Sequence, residues 1–457
     1  MNLMTPLVLS KVVENDLCIG CGTCVQACPS QALTMNWNNH GFLVATSNNN
    51  RCDAGGTCIK VCPFNPDPGP DYKNEDGLAQ IFLTDAPQQH HKIGRYHNIY
   101  AGYSKKFRET SSSGGIATFV YEKLLDKGLI NHVVTIGDSE LDNTHYQYNI
   151  ISGKEDLFRI SKTRYHPVTL ANVLEKIKQL EGKVAISGVG CFIKAIRLAQ
   201  DKDPILKEKI AFLVGIICGG VKSIFFTDYL ASKAGAKQNA FSNPEYRVKD
   251  PTSTAMDYGF SCTDNRSNTT KLIKMLEVGD MWGTGLFKAN ACDFCDDVTT
   301  ELADISLGDA WLKPYNQDGN GHNVIVSRSA IADQILREGV ENGELELESL
   351  PLEQFLASQQ GSFNHRHDGM STRINFAKRA GAVVPPKRVA NIKLPLYLRL
   401  VQRTRRQTRL RSLEIWAEHK DSIEFDKHMK PELLKLRLVT KLSHVMRKVK
   451  KLSGIKS

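Results

Sequence analysis

The 457-residue sequence lacks an apolar run long enough to cross a membrane, because polar or charged residues interrupt every stretch before about 18 apolar positions. Its first residues, Met1 to Lys11, also lack the charged start and long apolar core of a signal peptide. These two absences predict a cytoplasmic protein. A hydrophobic content of 41% and a charged content of 24% are typical of a folded globular chain. The length allows about two or three domains.

Two further absences narrow the chemistry. The segment Gly188-Val-Gly190 lacks the third glycine of a dinucleotide-binding fingerprint, so a standard Rossmann site is not predicted. No recognition module for nucleic acid is visible in the sequence, and we therefore expect no nucleic-acid partner.

Cysteine, by contrast, is present in number and in a pattern. Twelve cysteines in a large chain without a signal peptide indicate metal ligation in a reducing compartment and not disulfides. The run Cys18-Ile-Gly-Cys21-Gly-Thr-Cys24-Val-Gln-Ala-Cys28-Pro29 has the spacing of bacterial ferredoxins, whose thiolates ligate iron–sulfur clusters. Two-residue gaps let a tight loop wrap one cluster, and the glycines allow such a loop. The run therefore predicts a 4Fe-4S cluster.

A second cysteine group, Cys52, Cys58 and Cys62 followed by Pro63, makes this segment a two-fold repeat. In the usual cross-over, Cys18, Cys21, Cys24 and Cys62 bind one cluster, and Cys28, Cys52 and Cys58 contribute to the other. Position 55, where the fourth ligand of the second cluster would stand, is a glycine. The second site could hold a three-iron cluster, a cubane completed by water, Asp53 or an outside ligand, or no cluster. We favour a modified second cluster.

The pattern along the chain predicts four parts. Residues 1–70 are a ferredoxin-type domain with a hairpin over 32–46, and residues 71–95 are a polar linker in which His90 and His91 are solvated. Strands and helices then alternate over a body at 96–370, and a basic helical tail follows at 386–457. Such alternation is typical of a parallel sheet. The predicted fold class is α/β: an α+β ferredoxin-like head on a mixed, largely parallel α/β body, with a helical C-terminal tail.

Four cysteines of the body could form a third metal site. Cys191 and Cys218 each follow a predicted buried strand, and ligands bind beyond the carboxyl ends of strands in such sheets. Cys292-Asp-Phe-Cys295 adds a two-residue clamp. The alternative is a set of buried free thiols, which are common in protein cores. Cys262 stands apart and is expected to be a packing residue.

The stretch Ser111-Ser-Ser-Gly-Gly115 precedes a predicted helix. Helix N-terminal amides attract anions, and glycines allow close approach, so the stretch could cradle a phosphate. It could equally be an ordinary helix cap.

The basic charge of the chain is concentrated in its tail. From Lys387 to Ser457 there are 20 Lys/Arg and 6 Asp/Glu, whereas the rest of the chain is mildly acidic. A helix there places Leu434, Leu438, Leu442, Val445, Val449 and Leu452 on one face. The tail could pack on the body with a solvated basic face, lie on an anionic membrane surface, or bind an acidic protein partner. The predicted location is therefore cytoplasmic, with a peripheral position at the inner membrane surface left open.

Several motifs in order resemble one family. They are the ferredoxin-type head, Ser113-Gly-Gly115, Gly188-Val-Gly-Cys191, Cys218-Gly-Gly220, Cys292-Asp-Phe-Cys295 and Ala303-Asp-Ile-Ser-Leu-Gly-Asp-Ala-Trp311. This order resembles the family of coenzyme F420 hydrogenase/dehydrogenase beta subunits over roughly residues 12 to 370. The long basic tail is similar to members found in bacterial polysaccharide gene clusters.

The resemblance implies FAD in the body beside a 4Fe-4S cluster held by the four body cysteines. It implies that Ser113, Gly114 and Gly115 contact the flavin phosphates. Lys162, Arg164 and Tyr165 match one further stretch of the family, and Asn323 and Arg328 match another near the flavin. Gly190 stands where members often have proline, and Gly219 where many have histidine, so the substrate surface is expected to differ.

The expected activity follows from these cofactors. Electrons would pass from a ferredoxin-like donor through the head and the body cluster to FAD and a conjugated or heteroaromatic small-molecule acceptor, such as a deazaflavin. The chain would then be an iron–sulfur flavoprotein oxidoreductase. The alternative is a non-catalytic subunit that passes electrons to a partner enzyme. No general acid is identifiable, and Tyr165 and His166 are weak candidates.

Overall fold

The computed structural model describes residues 5–48, 51–141, 143–389 and 391–452, with side chains described up to residue 449. The head is built from two similar halves. β1 (Leu33–Trp37) and β2 (Leu43–Ser47) form the predicted antiparallel hairpin. The short helices α1 (Thr23–Gln26) and α2 (Thr57–Lys60) each follow a glycine in the left-handed region, Gly22 at φ 76° and Gly56 at φ 69°. Glycine adopts this conformation without the steric penalty of a side chain, which lets each cysteine loop turn into its helix.

The segment predicted as a polar linker is folded. It contains α3 (Glu75–Phe82) and the hairpin of β3 (Gln88–His90) and β4 (Gly94–Tyr96). The Asn74 side chain caps α3 by accepting from the Asp76 amide at 2.9 Å. Buried Glu75 pairs with Lys194 of the body at 3.0 Å. The polar composition did not indicate this secondary structure, because the helix cap and the buried ion pair that stabilise it are themselves made of polar residues.

The remaining strands belong to the body. They are β5 (Asn98–Ser104), β6 (His132–Asp138), β7 (Tyr146–Ile151), β8 (Val184–Val189), β9 (Ile210–Ile216), β10 (Phe241–Val248), β11 (Gly259–Asp264), β12 (Thr269–Lys274), β13 (Ile305–Asp309), β14 (Asn323–Ser327) and β15 (Leu345–Ser349). Within the described residues, eight of them form one sheet in the order β15-β5-β14-β13-β9-β8-β6-β7. The pairs β13–β9, β9–β8 and β8–β6 are parallel, and antiparallel strands flank them on both sides. The mixed α/β body is thereby confirmed.

Helices cover this sheet and continue into the tail. They are α4 (Ile116–Asp126), α5 (Ala171–Gln179), α6 (Gly190–Lys202), α7 (Pro204–Lys209), α8 (Ile224–Lys233), α9 (Met275–Val278), α10 (Ala330–Glu341), α11 (Leu352–Ser358), α12 (Gln360–Phe363), α13 (Met370–Arg379), α14 (Leu396–His419) and α15 (Ser422–Leu452). The central strands are buried on both faces, as parallel strands between helix layers must be. β10, β11 and β12 form a separate antiparallel sheet.

The tail is anchored to the body by its first helix. Trp416 of α14 is fully buried among Tyr229, Phe287 and Phe425. Arg409, also buried, pairs with Asp293 at 3.4 Å. α14 is therefore part of the folded body. The side chain of Leu452, the last residue of the predicted apolar face, lies outside the described residues.

No helix in the described part of the chain combines the length and the apolarity that crossing a membrane requires.

A candidate redox site between the head and the body

The first head site gathers the four cysteines expected from the cross-over. Burial raises the pKa of the Cys24 thiol well above its usual range, and Cys21, Cys18 and Cys62 raise it further. Burial likewise raises the pKa of Cys21 to about 11. Thiols that perturb one another electrostatically lie near one another. The fold thus brings Cys18, Cys21, Cys24 and Cys62 together, although Cys62 is remote from the others in sequence.

The second head site gathers three cysteines. Burial raises the pKa of Cys58, and Cys28 and Cys52 raise it further. Asp53 Oδ1 accepts the Gly55 amide at 3.0 Å, so this carboxylate is partly engaged by its own loop. Position 55 therefore supplies no side-chain ligand to the second site. One carboxylate oxygen of Asp53 accepts a hydrogen bond from its own loop, and the other oxygen does not take part in that bond.

The body site gathers Cys191, Cys218, Cys292 and Cys295. Cys191 lies in the first turn of α6 after β8, and Cys218 follows β9, so the two meet at one edge of the parallel strands. Burial raises the pKa of the Cys191 thiol well above its usual range, and Cys295, Cys292 and Cys218 raise it further, in that order. The structure therefore brings this predicted set together.

Cations and amides surround the body cysteines. The Val221 amide donates to Cys292 Sγ at 3.2 Å, and the Gly220 amide donates to Cys218 Sγ at 3.2 Å. Arg366 Nη1 donates to Cys295 Sγ at 3.6 Å. Hydrogen bonds to sulfur and nearby charge set the potential of an iron–sulfur cluster. The body site therefore has a cation, Arg366, next to its thiols. At the first head site, by contrast, burial and the neighbouring thiols raise the pKa of Cys24.

The candidate ligands of the body site are all thiols, and thiolates are the donors that iron–sulfur clusters use. Among the residues that the structure describes, no three His, Cys, Asp or Glu side chains converge closely enough for a single metal ion.

Tyr148 of β7 lies where the first head site meets the body site. Tyr148 donates to the Ser187 carbonyl at 3.0 Å and lies close enough to Cys191 and Cys21 for both to raise its pKa, after burial. The backbones also touch, since the Leu170 amide donates to the Cys21 carbonyl at 2.8 Å. The head is docked with its first cysteine site facing the body cysteines.

A cavity of about 750 Å³ lies beside this junction. Head residues Cys18 to Gly20 and body residues Ile217 to Lys222 both line it. Its walls carry large aromatic and aliphatic side chains, namely Phe42, Tyr148, Tyr165, Phe192, Met256, Tyr258, Met275, Met281, Trp282 and Trp311. An apolar cavity of this size with a few polar groups is typical of a cofactor or ligand site.

Three cations are among the polar residues that line the cavity, which also include Asp280 and Asp309. Arg164 lies over the Tyr146 ring at 4.8 Å, and its buried Nε has no hydrogen-bond partner among the described residues. Arg247 pairs with Asp309 at 2.5 Å and lies over Tyr258. Lys222 donates to two carbonyls, and burial lowers its pKa to about 7. A buried donor without a partner is costly, so Arg164 indicates that the cavity takes a polar ligand.

The Ser113-Gly114-Gly115 loop does not line this cavity. Ser113 Oγ donates to the His322 carbonyl at 3.1 Å. A Cβ on Gly114 would lie 2.6 Å from the Gly102 carbonyl oxygen, and Gly115 has φ 77°. The glycines are thus needed for close packing on β5 and β14. Lys249 links the loop to the cavity wall: it donates to the Ser113 carbonyl at 2.7 Å, and Arg108, Lys162 and Arg247 help burial to lower its pKa to about 7.

Of the other residues matched by the resemblance, some line the cavity, and the others hold strands and loops of the body together. Arg164 and Tyr165 line the cavity. Lys162 lies outside the lining and pairs with Glu245 at 3.0 Å. Asn323 donates to the Gly308 carbonyl at 3.1 Å. Arg328 is fully buried and donates to Ser306 and to the carbonyls of Ile93, Arg95 and Thr299. The contacts of Lys162, Asn323 and Arg328 tie strands and loops together and do not reach the cavity.

Sequence reasoning missed Arg247, Tyr258 and Trp282, which line the cavity. Arg247 and Tyr258 flank the separate sheet of β10–β12, whose place beside the cavity depends on tertiary packing. Trp282 lies in a loop without regular pattern. Trp311 ends the string Ala303–Trp311, so a sequence signal marked its position without indicating that it faces the cavity.

The two weak candidates for a general acid, His166 and Tyr165, have different surroundings. Burial lowers the pKa of His166 to about 3, which keeps its imidazole neutral, and Thr144 Oγ1 lies 2.9 Å from its Nε2. Burial raises the pKa of Tyr165 far above its usual range, so its hydroxyl keeps its proton. Cys262, expected to be a packing residue, is buried in β11.

Sequence models of known families match both the head and the body. Residues 99–175 and 181–353 match the models for the N-terminal and C-terminal parts of the coenzyme F420 hydrogenase/dehydrogenase beta subunit. Residues 17–65 match the 4Fe-4S dicluster domain.

The related proteins have low sequence identity to this chain but match it over more than half of its length. A component of the F(420)H(2) dehydrogenase of Methanosarcina mazei is 22% identical over 66% of this chain and 78% of its own. The beta subunit of the coenzyme F420 hydrogenase of Methanosarcina barkeri is 22% identical over 56% of this chain and 82% of its own. The coenzyme F420-dependent sulfite reductase of Methanocaldococcus jannaschii is 22% identical over 76% of this chain, which spans 51% of that protein. A chain of the F420-reducing NiFe hydrogenase complex from Methanosarcina barkeri gives a TM-score of 0.49 at 18% identity, over 66% of this chain and 98% of that one.

Proposed function

The chain belongs to the family of coenzyme F420 hydrogenase/dehydrogenase beta subunits, which are oxidoreductases, and we propose that it is an electron-transfer subunit that passes electrons to a partner enzyme. The observation that carries this proposal is the junction at Tyr148, which brings Cys21 of the head close to Cys191 of the body. The names of the relatives support it, since the Methanosarcina proteins are subunits of a dehydrogenase and a hydrogenase.

In this proposal, three groups of cysteines hold iron–sulfur clusters. Cys18, Cys21, Cys24 and Cys62 hold the first, and Cys191, Cys218, Cys292 and Cys295 hold the one in the body. Cys28, Cys52 and Cys58 hold a modified second cluster at the head. An iron–sulfur cluster carries one electron at a time, whereas a flavin can exchange one or two. Bound groups of these kinds would therefore couple one-electron transfer to two-electron transfer.

The residues of the chain have distinct tasks toward such groups. Arg366 and the amides of Gly220 and Val221 offset negative charge on the body thiolates, which favours the reduced state of that site. The docked head and the apolar cavity wall exclude water from the path between Cys21 and Cys191. Trp282 and Tyr165 are in edge contact at 4.8 Å between ring centres and form an aromatic wall.

A second candidate function is reduction of a small molecule in the cavity itself, with FAD bound there. The observation that favours it is the cavity of about 750 Å³ with the buried Nε of half-buried Arg164, which has no hydrogen-bond partner among the described residues. An aromatic wall suits a planar conjugated ring, and the cations Arg164 and Arg247 of the lining suit the phosphates of a dinucleotide. The chain would then be an FAD-dependent oxidoreductase whose acceptor is a deazaflavin-type or other heteroaromatic compound.

Anaerobic spectroscopy tests both functions. We expect purified, reconstituted protein to give iron and sulfide for the proposed clusters, and electron paramagnetic resonance to show more than one spin system. A single four-iron signal with no second system would remove both the modified head cluster and the body cluster, and with them the proposed relay. Absence of flavin absorbance after incubation with FAD would remove the second function and leave the first intact.

The relay is tested by Cys21→Ser with Cys262→Ser as its control. Cys21→Ser should abolish reduction of the body site by a reduced ferredoxin while added FAD still binds. Cys262→Ser, a change at a thiol in β11, should behave as wild type. If ferredoxin reduces the body site of Cys21→Ser at the wild-type rate, electrons do not pass through the head and the proposal fails.

A further inference from the structure

Helix α15 carries two apolar stripes on opposite sides. The inner stripe, Phe425, Met429 and Leu436, is between 0% and 4% exposed and packs toward α14 and the body. The outer stripe consists of Leu434, Leu438, Leu442, Val445 and Val449, and these side chains are between 52% and 58% exposed. A helix that only packs on a domain needs one apolar stripe and presents a polar face to water. The outer stripe is therefore not explained by the folding of this chain.

The outer stripe forms an elongated patch. Residues 434 to 449 rise along the helix by about 24 Å at 1.5 Å per residue. α14 and α15 pack against each other across a short turn, so the outer stripe lies on the side of α15 that faces away from this contact.

The borders of this patch are uniformly cationic. From Leu433 to Ser457 the sequence has no Asp or Glu, and Lys435, Arg437, Lys441 and Lys448 beside the outer stripe are all exposed. Aliphatic residues on one face with Lys and Arg beside them are typical of helices that lie in a membrane interface. Long cationic side chains can reach outward to lipid phosphates while the leucines enter the acyl boundary.

Other occupants of the patch fit less well. Two copies of the chain meeting through it would oppose two cationic borders, which repel each other. Binding sites for proteins concentrate their energy in Trp, Tyr and Arg anchors, and Leu and Val are under-represented there. The outer stripe is purely aliphatic and lies on a convex helix instead of a groove.

We propose that the outer stripe of α15 docks the protein on an anionic lipid surface. The helix lies parallel to the surface, and α14 holds the body above it. This docking is independent of the cofactors and of the function proposed above.

Flotation of the full-length protein with lipid vesicles tests the docking. We expect it to float with phosphatidylcholine vesicles that contain phosphatidylglycerol, to remain behind with phosphatidylcholine alone, and to be released by added salt, since screening weakens the attraction. The double variant Leu438→Glu/Leu442→Glu should reduce binding by about tenfold or more, because two charges would have to enter the interface. Lys441→Glu/Lys448→Glu should reduce binding similarly without touching the stripe.

The matched control is Leu272→Glu, a change at a leucine of β12 that is 53% exposed, which should leave flotation unchanged. Cluster absorbance and the melting temperature check that each variant is folded. Equal binding to both kinds of vesicle, no binding to either, or full binding by the α15 variants would overturn the proposal. A dimer in solution that the α15 variants dissociate, without vesicle binding, would also overturn it and assign the patch to a second copy.

Discussion

Gly219 shows how a single small residue shapes the cavity. A Cβ at this position would lie 2.9 Å from Cε3 of Trp282, so the indole occupies the space that a side chain at 219 would need. Trp282 in turn lies under Lys222, whose Nζ is 4.6 Å from the ring centre. The absence of a side chain at position 219 therefore lets the indole of Trp282 form this part of the cavity wall.

Arg164 is the residue whose change should most directly weaken a ligand in the cavity. Arg164→Gln removes a buried charged donor, and hydrogen bonds to charged groups contribute about 1.5–3 kcal/mol. We therefore expect FAD affinity, measured by fluorescence titration, to fall roughly tenfold to a hundredfold. Arg159→Gln is the control, since that side chain is 84% exposed. Equal FAD affinity in both variants would exclude Arg164 from the binding site.

Glu301 makes the stability of the protein depend on pH. Burial, together with nearby Asp297 and against the opposing effect of Arg388, raises the pKa of its carboxyl to about 8. The folded state thus holds a proton that the unfolded state has lost, so stability falls as the pH rises from about 4.5 toward about 8. One unit of pKa difference corresponds to about 1.4 kcal/mol, so the loss should be at least of that order.

Melting temperatures measured across this pH range test that effect. Glu301→Gln should flatten the decline because it removes the titrating group, whereas Glu341→Gln, an exposed change at the end of α10, should follow wild type. If Glu301→Gln declines as steeply as wild type, another group is responsible.

At the scale of elements, the loop before α4 is fixed by its contacts with β5 and β14. Gly114→Ala would place a methyl group 2.6 Å from the Gly102 carbonyl oxygen and 2.9 Å from the Asn323 amide nitrogen. We expect the free energy of unfolding to fall by about 1–3 kcal/mol, as for other overpacked sites. Gly361→Ala, with open space around the added methyl group, is the control and should be neutral or slightly stabilising.

The same pair of variants separates a structural role from a phosphate-binding role. A Gly114→Ala protein with an unchanged melting temperature and weakened FAD binding would show that the loop holds phosphate. A lowered melting temperature, with FAD affinity retained by the folded fraction, would show that its glycines serve packing.

For the whole molecule, the tail and the body form one folded unit. Trp416→Ala should cost about 3–5 kcal/mol, because it empties a fully buried site among Tyr229, Phe287 and Phe425. Loss of this anchor should expose the chain before α14 to limited proteolysis. Leu410→Ala, at a leucine of α14 that is 37% exposed, is the control. Equal protection of both variants would mean that α14 is held by other contacts.

Much of the architecture was predictable because its signals are local. The cysteine spacing, the hairpin between the two halves of the head and the alternation of strands and helices are each written within about ten to twenty neighbouring residues. Cys191 and Cys218 follow the neighbouring parallel strands β8 and β9, and parallel strands align their carboxyl ends, so this placement also has a local signal. The polar segment 71–95 was predicted wrongly as a linker, because its order depends on the pairing of Glu75 with Lys194.

The sequence by itself determined where cysteines could serve as ligands and which residues of α15 share a face, because spacing and helical period are properties of the chain alone. Only the tertiary structure decided that Arg164, Arg247 and Trp282 surround one cavity. It also decided that Arg328 donates its hydrogen bonds to backbone carbonyls of the body, and that the leucines of the outer stripe of α15 face outward. Burial depends on what packs against a residue from elsewhere in the chain. Local periodicity gives a helix its stripe, and the neighbours in space decide whether that stripe is core or surface.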